Sequence, residues 1–536
     1  MNSLAGTGLM LRHVLRRDRV LGTAWVLFLA LLVVGVAKQY AGLFPTDRAR
    51  LDFVAEVRAN AALNAFTGQL HGDGLGNLVL WKTGDIAFTL IGLMAVLLVV
   101  RHTRAEEESG RAELVGAGVL GRFATLTASL LAVSLLSVLA GALSAVGLAA
   151  FGLDAAGSAA FGLALIAPGL VFAAVGAVAA QLSERARGAI AIASTVLGIG
   201  YLIRFVADGS GLLWLRWLSP NGWSHLAEPF GGNHVGVLAV PLAVASLLVA
   251  LAFRLAARRD VGAGALPARL GPPTAVGRLR SPLALAWRLH RGQIFGWTVA
   301  LSAFSAATAA VATGMPELAS RSGEHVREFF HRYAATPDAG IADTFIWLII
   351  VSIAGVAALY PMMAVLRLRA EETGGRAEMT LATPTSRLRW AGGHLLCAAA
   401  GSALMLAASG LAAGLVYGIT SGDVPTQLPG ALSATLVQIP PVWLIGSLAV
   451  IAVGAFPRLA TAFVWVVFML VNLFGESLGP ILGIDYGYAN QVVPFHHVPK
   501  ILTGGEFTAA PLLIMTLLAV VFAATGLAAL NRRDIR

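Results

Sequence analysis

The densest cluster of ionisable side chains in the chain occurs twice. Arg104-Ala105-Glu106-Glu107-Glu108-Ser109-Gly110-Arg111-Ala112-Glu113 recurs as Arg369-Ala370-Glu371-Glu372-Thr373-Gly374-Gly375-Arg376-Ala377-Glu378, with eight of ten positions identical at an offset of 265. On a helix, Glu106 or Glu107 comes about one turn from Arg111, close enough to pair. Gly110 ends or kinks that turn. A solvated loop that is merely basic has no need of three glutamates. A short element with both charge signs, kept in two copies, suits docking on a partner whose charges set orientation more than affinity. The candidate docking residues are therefore Arg104, Glu106, Glu107, Gly110, Arg111 and Glu113, with Arg369, Glu371, Glu372, Gly375, Arg376 and Glu378 in the second copy. Reversing Glu107 and Glu372 to arginine is expected to uncouple docking without disturbing membrane insertion.

Other chemistries lack their residues. No Gly-Lys dipeptide occurs, so there is no phosphate-binding P-loop, and no HExxH occurs. Gly116-Ala117-Gly118-Val119-Leu120-Gly121 matches GxGxxG but precedes an apolar run and follows no strand; its glycines allow a bend instead. One cysteine, Cys397, excludes an intramolecular disulfide and any cysteine-cluster metal site. His325 and His331 are unevenly spaced for a metal. No metal site, cofactor or catalytic residue is expected in this chain.

The elements that must position the repeated cluster are membrane helices. Of 536 residues, 57% are hydrophobic and 12% charged, about half the charged share of a soluble domain. A span needs about 20 mostly apolar residues. Such runs lie near 21–43, 79–100, 120–150, 159–182, 189–206 and 235–257, then near 293–315, 343–366, 391–420, 431–456, 459–475 and 509–530. The first run is too long for a signal sequence. A Pro/Gly/Arg-rich stretch from Arg258 to Arg291 separates the two sets and reads as a cytosolic linker. The net charge of +10 is a matter of topology rather than of nucleic-acid binding. With the N-terminus inside, 27 basic residues fall on the cytosolic side and 11 outside, while acidic residues divide 11 to 17.

The duplication extends beyond the cluster. Arg122 matches Arg387, Pro168 matches Pro441, Arg185 matches Arg458, and Arg259-Asp260 match Arg533-Asp534. The expected fold is an all-α polytopic membrane protein of twelve transmembrane helices. These form two parallel six-helix repeats, 1–274 and 275–536, with both termini cytosolic.

Few residues within the spans are polar. Asp85, three residues after Lys82, reads as a structural pair, and Arg204 and Asp343 fall near outer ends. Pro168, Gln438, Pro440 and Pro441 interrupt spans and are candidates for kinks that shape a cavity. Gly410, Gly414 and Gly418 form a helix-packing stripe. Residues 4–19 and 283–291 read as amphipathic interfacial helices. Two outer segments carry Trp214, Trp217 and Trp223, and Phe495, His496 and His497; interfacial-belt and re-entrant placements both fit. Residues 316–342, with Glu317, Glu324 and Glu328, form a further candidate interfacial helix.

At these residues the chain resembles the permease subunits of ABC-2 type exporters, and among them the actinobacterial polyketide-antibiotic and multidrug exporters. The resemblance is carried by the RAEExxGRAE element after the second span of each half, by Leu381-Ala382-Thr383-Pro384-Thr385-Ser386-Arg387, by Ser219-Pro220 and Val493-Pro494, and by the Arg-Arg-Asp ending. The first half departs from it, with no Thr-Pro before Arg122. The resemblance implies a bacterial plasma-membrane efflux permease with no nucleotide site of its own. ATP and Mg would bind a separate cytosolic ABC ATPase, two copies per chain, docking on coupling helices at 104–113 and 369–378. The cargo would be a small hydrophobic or amphipathic compound: an antibiotic, drug or lipid. The alternative is a twelve-helix proton-coupled secondary transporter. The mid-membrane runs show no evident carboxylate for that chemistry.

Overall fold

The structure is a computed structural model that describes residues 3–59, 64–65, 67–116, 120–266, 281–316, 333–336, 338–473 and 486–533. Expectations at Gly118, Glu317, Glu324, His325, Glu328, His331, Asp534 and the middle of the linker lie outside the described residues. All regular structure among the described residues is helical. Among the described residues, eleven helical segments are long and apolar enough to cross a bilayer; Ile341–Thr373 and Val424–Ala455 are each built of two consecutive helices. They coincide with eleven of the twelve expected runs. The remaining run, 459–475, holds the shorter helix Ala460–Leu473. The chain divides into two units, Met1–Gly271 and Pro272–Arg536.

In the first unit, α1 (Thr7–Arg17) and α2 (Arg19–Leu43) meet at Asp18, and α3 spans Asp47–Ala59. Helix α4 (Leu75–His102) leads into the first charged element, split into α5 (Arg104–Glu108) and α6 (Arg111–Gly116). Three long helices follow: α7 (Ala124–Ala150), α8 (Ala155–Leu182) and α9 (Ala186–Ser210). The short α10 (Pro220–Leu226) precedes the last helix, α11 (Ala239–Arg258). Asp154 caps α8 by accepting a hydrogen bond from the Gly157 amide at 2.6 Å. Helices α4 and α8 form the unit's centre, where Phe88, Met94, Phe161 and Phe172 are fully buried.

In the second unit, α12 (Pro282–Ala309) starts at a Ser281 cap. Helices α13 (Ile341–Ala357) and α14 (Leu359–Thr373) lead to the second charged element and α15 (Arg376–Leu381). Helix α16 (Arg387–Ser421) turns at Gly422 into α17 (Val424–Leu436). Then come α18 (Ile439–Ala455), α19 (Ala460–Leu473), α20 (Tyr486–Gln491) and α21 (Ala509–Arg532). The Gly410–Gly414–Gly418 stripe packs against α17: a Cβ on Gly414 would sit 2.7 Å from the Leu428 Cα.

The proline positions behave differently. The expected break falls at Gln438, between α17 and α18, with Pro440 and Pro441 in the first turn of α18. Gln438 is fully buried. Pro168 leaves α8 continuous. It cannot donate to the Ala164 carbonyl, and that oxygen instead accepts from the Ser224 hydroxyl of α10 at 2.8 Å. Ala164 lies ten residues into α8, so α10 sits alongside the bundle's depth rather than on its rim. Ser219 and Asn221 bond the Gly200 carbonyl and the Thr89 hydroxyl, at 2.6 and 3.0 Å. Helix α10 is thus packed against the side of the bundle, with its polar groups satisfied by neighbouring helices. Of the three tryptophans before α11, Trp223 is buried in this arrangement, while Trp214 and Trp217 are exposed.

A buried charge network holds α10 in place, and it corrects two expectations. Asp85 pairs with the Arg204 Nε at 3.0 Å, not with Lys82, which lies on the exposed side of α4. Arg204 also bonds Asp208 at 2.9 Å and the Ala65 carbonyl at 2.8 Å. Asp208 takes Arg216 as its second partner, from the 3-10 turn Leu213–Leu218. Two long apolar helices, α4 and α9, thus each carry a buried carboxylate, Asp85 and Asp208, neutralised by arginine. In the second unit, Asp343 accepts from the Tyr417 hydroxyl at 2.9 Å.

The two amphipathic segments also diverge. Helix α1 is a separate element, with Val14 buried and Arg12, Arg16 and Arg17 exposed. Residues 283–291 form no such element; they run unbroken into the rest of α12.

Candidate coupling elements

Both charged elements contain a left-handed glycine. Gly110 has φ 73° and Gly375 has φ 69°. The left-handed region costs other residues about 1–2 kcal/mol, which accounts for glycine at this position in both copies. A Cβ at either site would meet no atom within 4 Å, so only backbone strain opposes it. Gly375→Ala should therefore lower stability by about 1–2 kcal/mol, read as a modest fall in the apparent Tm of the purified protein. The chain enters the elements differently. Thr103 breaks the path from α4 to α5, whereas α14 runs straight through Arg369 to Thr373.

In both elements the second glutamate faces inward. Glu107 receives two hydrogen bonds from Arg259, at 2.8 and 2.7 Å, and one from the Gly262 amide at 3.2 Å. Glu372, whose side chain is fully buried, receives two from the Arg533 Nη2, at 2.6 and 2.8 Å. Arg259 and Arg533 follow the last helix of their respective units. The Arg259–Glu107 pair is bidentate, with two guanidinium nitrogens on two carboxylate oxygens, and such pairs are strong and geometrically specific, whereas Arg533 reaches both Glu372 oxygens from one nitrogen. Arg122 and Arg387 act on the same segments. Arg122 donates to the Ala256 and Arg259 carbonyls, at 2.9 and 3.0 Å. Arg387 donates to the Asn531 and Arg533 carbonyls, at 3.2 and 2.7 Å. Each guanidinium thereby covers the open carbonyl end of a helix and complements its dipole. Each charged element is thus clasped to the end of its own last helix.

The first clasp has additional ties. Arg104, fully buried, donates to the Ala180 carbonyl near the end of α8 at 2.8 and 2.5 Å and to the Ala263 carbonyl at 3.1 Å. It also pairs with Glu107 at 2.9 Å. Glu108 accepts from the Ala186 amide at 2.9 Å, at the start of α9. Glu106 pairs with Arg17 and, at 3.8 Å, with Arg111. Asp18 binds His102 and lies 3.2 Å from the Arg101 Nη2. Burial pushes its carboxyl up, but the hydrogen bond and charge of His102, with Arg101 and Arg17, outweigh that and hold it below the usual carboxylate range. Gly121 lets residues 3–5 cross the start of α7. A Cβ there would lie 2.3 Å from the Ser3 carbonyl oxygen, and the Gly121 amide donates to the Ala5 carbonyl at 2.9 Å.

The second element is tied more simply. Arg369 lies 3.3 Å from Glu372, and Arg376 donates to Glu371 at 2.9 Å. Glu371 also pairs with Arg367 at 3.5 Å.

Of the twelve candidate residues, Arg104, Glu107, Glu371 and Glu372 are turned toward their own bundle. Glu106 and Arg369 are half-buried, and Gly110 and Gly375 make the bends. Arg111 and Glu113 face outward in the first element, and Arg376 and Glu378 in the second, where Met379 is also exposed. Glu107 is half-buried and Glu372 fully buried, so reversing their charge would break both clasps as well as alter the charged elements. The clasp arginines Arg122, Arg259, Arg387 and Arg533 were visible as duplicated residues. Their signal was co-duplication of an arginine outside the element with a glutamate inside it.

Many helices long and apolar enough to cross a bilayer, with a charged element locked to the last helix of each unit, define a polytopic membrane protein. Residues 279–531 match the family described as multidrug efflux system permease Rv1217c, C-terminal domain. Over 542 aligned residues the chain is 41% identical to the multidrug efflux system permease protein Rv1217c of Mycobacterium tuberculosis, covering 100% of this chain and 96% of that relative. The chain belongs to this family of multidrug efflux permeases and is a multi-pass plasma-membrane protein.

Proposed function

We propose that the chain is the permease of an ABC-2 type exporter, moving hydrophobic or amphipathic compounds out of the cell. ATP is hydrolysed by separate ATPase subunits, two per chain, docked on residues 104–113 and 369–378. In this reading the chain has twelve spans in two parallel six-helix repeats, with both termini and both charged elements in the cytosol. One observation carries it: each element is clasped to the end of its unit's last helix while one charged row stays outward. A push on Glu113 or Glu378 would therefore move a helix bundle rather than a loose loop. Rigid elements of this kind are what transmit domain motion.

Affinity purification of the tagged chain from mild detergent tests the reading. A P-loop ATPase should co-purify at about two copies per chain. Glu113→Arg with Glu378→Arg should abolish its recovery and drug efflux while leaving the apparent Tm unchanged, because both side chains are exposed and make no ion pair among the described residues. Absence of any ATPase across several detergents would move the assignment to a secondary carrier.

A further inference from the structure

The elbow between α1 and α2 encloses a cavity of about 220 Å³. Its wall is largely apolar, with Leu15 from α1, Leu98 from α4, and Val133 and Leu136 from α7. Its polar end is formed by Asp18, Arg19, Thr23 and His102. The volume suits roughly seven water-sized groups, but such a wall offers water few partners. It suits a run of methylenes.

The charges at the polar end are unequal. Asp18 is buried and occupied by His102 and Arg101. Arg17 is taken by Glu106. Arg12, Arg16 and Arg19 are exposed, and no carboxylate among the described residues pairs with them. Leu9 and Val20 are strongly exposed beside this elbow, as expected of a segment lying in lipid. The elbow thus joins an apolar slot to a cationic rim at the end of a span, where lipid headgroups collect.

We propose that the elbow binds one anionic phospholipid from the adjoining leaflet. Its phosphate lies against Arg19, and the first methylenes of one acyl chain fill the slot between α1 and α7. Paired Asp18 adds no free negative charge to repel the headgroup, and Arg16 adds to the field that attracts it.

The test uses the full-length chain in detergent, with bound lipids counted by native mass spectrometry. Phosphatidylglycerol and phosphatidylcholine of matched chains are titrated, with glycerol phosphate as the headgroup-only arm. The wild type should hold one more phosphatidylglycerol than Arg19→Gln, whose affinity for the tightest site should fall at least tenfold. Leu15→Trp, which fills the slot and leaves the rim intact, should weaken the same site by a similar factor. Phosphatidylcholine should bind at least tenfold more weakly, and glycerol phosphate should not displace the bound lipid. Wild-type lipid retention by both variants overturns the site. Equal binding of phosphatidylcholine overturns the role of charge, and displacement by glycerol phosphate overturns the role of the acyl chain.

Discussion

Arg533→Ala is expected to destabilise the second unit by about 3 kcal/mol, more than Glu372→Ala does, although the two residues form one clasp. The asymmetry follows from burial. The Glu372 side chain is fully buried and that of Arg533 is 17% exposed. Removing the arginine strands a carboxylate away from water, and breaking a buried pair in this way costs about 3–5 kcal/mol. Arg369, 3.3 Å away, keeps the loss at the lower end. Removing Glu372 leaves an arginine that can turn toward solvent, at a cost of about 1–2 kcal/mol. The double variant should cost no more than Arg533→Ala, giving a coupling of about 1–3 kcal/mol between the sites. Thermal unfolding of the purified variants provides the cycle. The functional expectation separates clasp from docking surface. Arg533→Ala should lower drug efflux at least tenfold while still recovering any ATPase partner, because the outward row at Arg376 and Glu378 is untouched. Additive stabilities, or normal efflux by Arg533→Ala, would refute the clasp.

The helical architecture was legible because lipid demands long apolar runs, and eleven such runs became bilayer-length helical segments. The charged element was legible because it is duplicated. Its inward and outward rows were not, since facing depends on which helix end lies beneath. Glu107 and Glu113 look alike in sequence and differ in whether Arg259 stands opposite. Long-range pairs were hidden for the same reason. Asp85 has Lys82 as its neighbour one turn back, a spacing that permits pairing, yet it is taken by Arg204 of α9 while Lys82 stays exposed. The docking of α10 is recorded only indirectly, by Pro168 freeing the Ala164 carbonyl and Ser224 supplying the missing donor. Neither residue announces the other. The elbow at Asp18 was hidden as well: α1 and residues 283–291 have similar amphipathic patterns, but only α1 is a separate helix.

The largest single-residue effect is expected at Arg204. This side chain is fully buried and neutralises Asp85 and Asp208 while also holding the Ala65 carbonyl. Arg204→Leu leaves Asp85 without a cationic guanidinium, facing only the Tyr201 hydroxyl and His225, 3.6 Å away, while Asp208 retains Arg216. One uncompensated carboxylate at membrane depth should cost about 3–5 kcal/mol, enough to remove most folded protein from a marginally stable chain. Fluorescence-detected gel filtration should show a loss of the monodisperse peak of at least fivefold. Arg204→Leu with Asp85→Leu should recover much of that peak, because replacing both partners with apolar side chains costs far less than stranding one. Efflux should not recover with it. Asp208 and Arg216 would still pair, but His225 of α10 would lose its contact with Asp85 of α4, and α10 would be freer to shift along the bundle. Restored folding with restored efflux would make the network a structural device alone. A wild-type peak from the single variant would remove the network's part in stability altogether. Restored folding without efflux would assign the buried charges to holding α10 in register, a requirement of transport rather than of the fold.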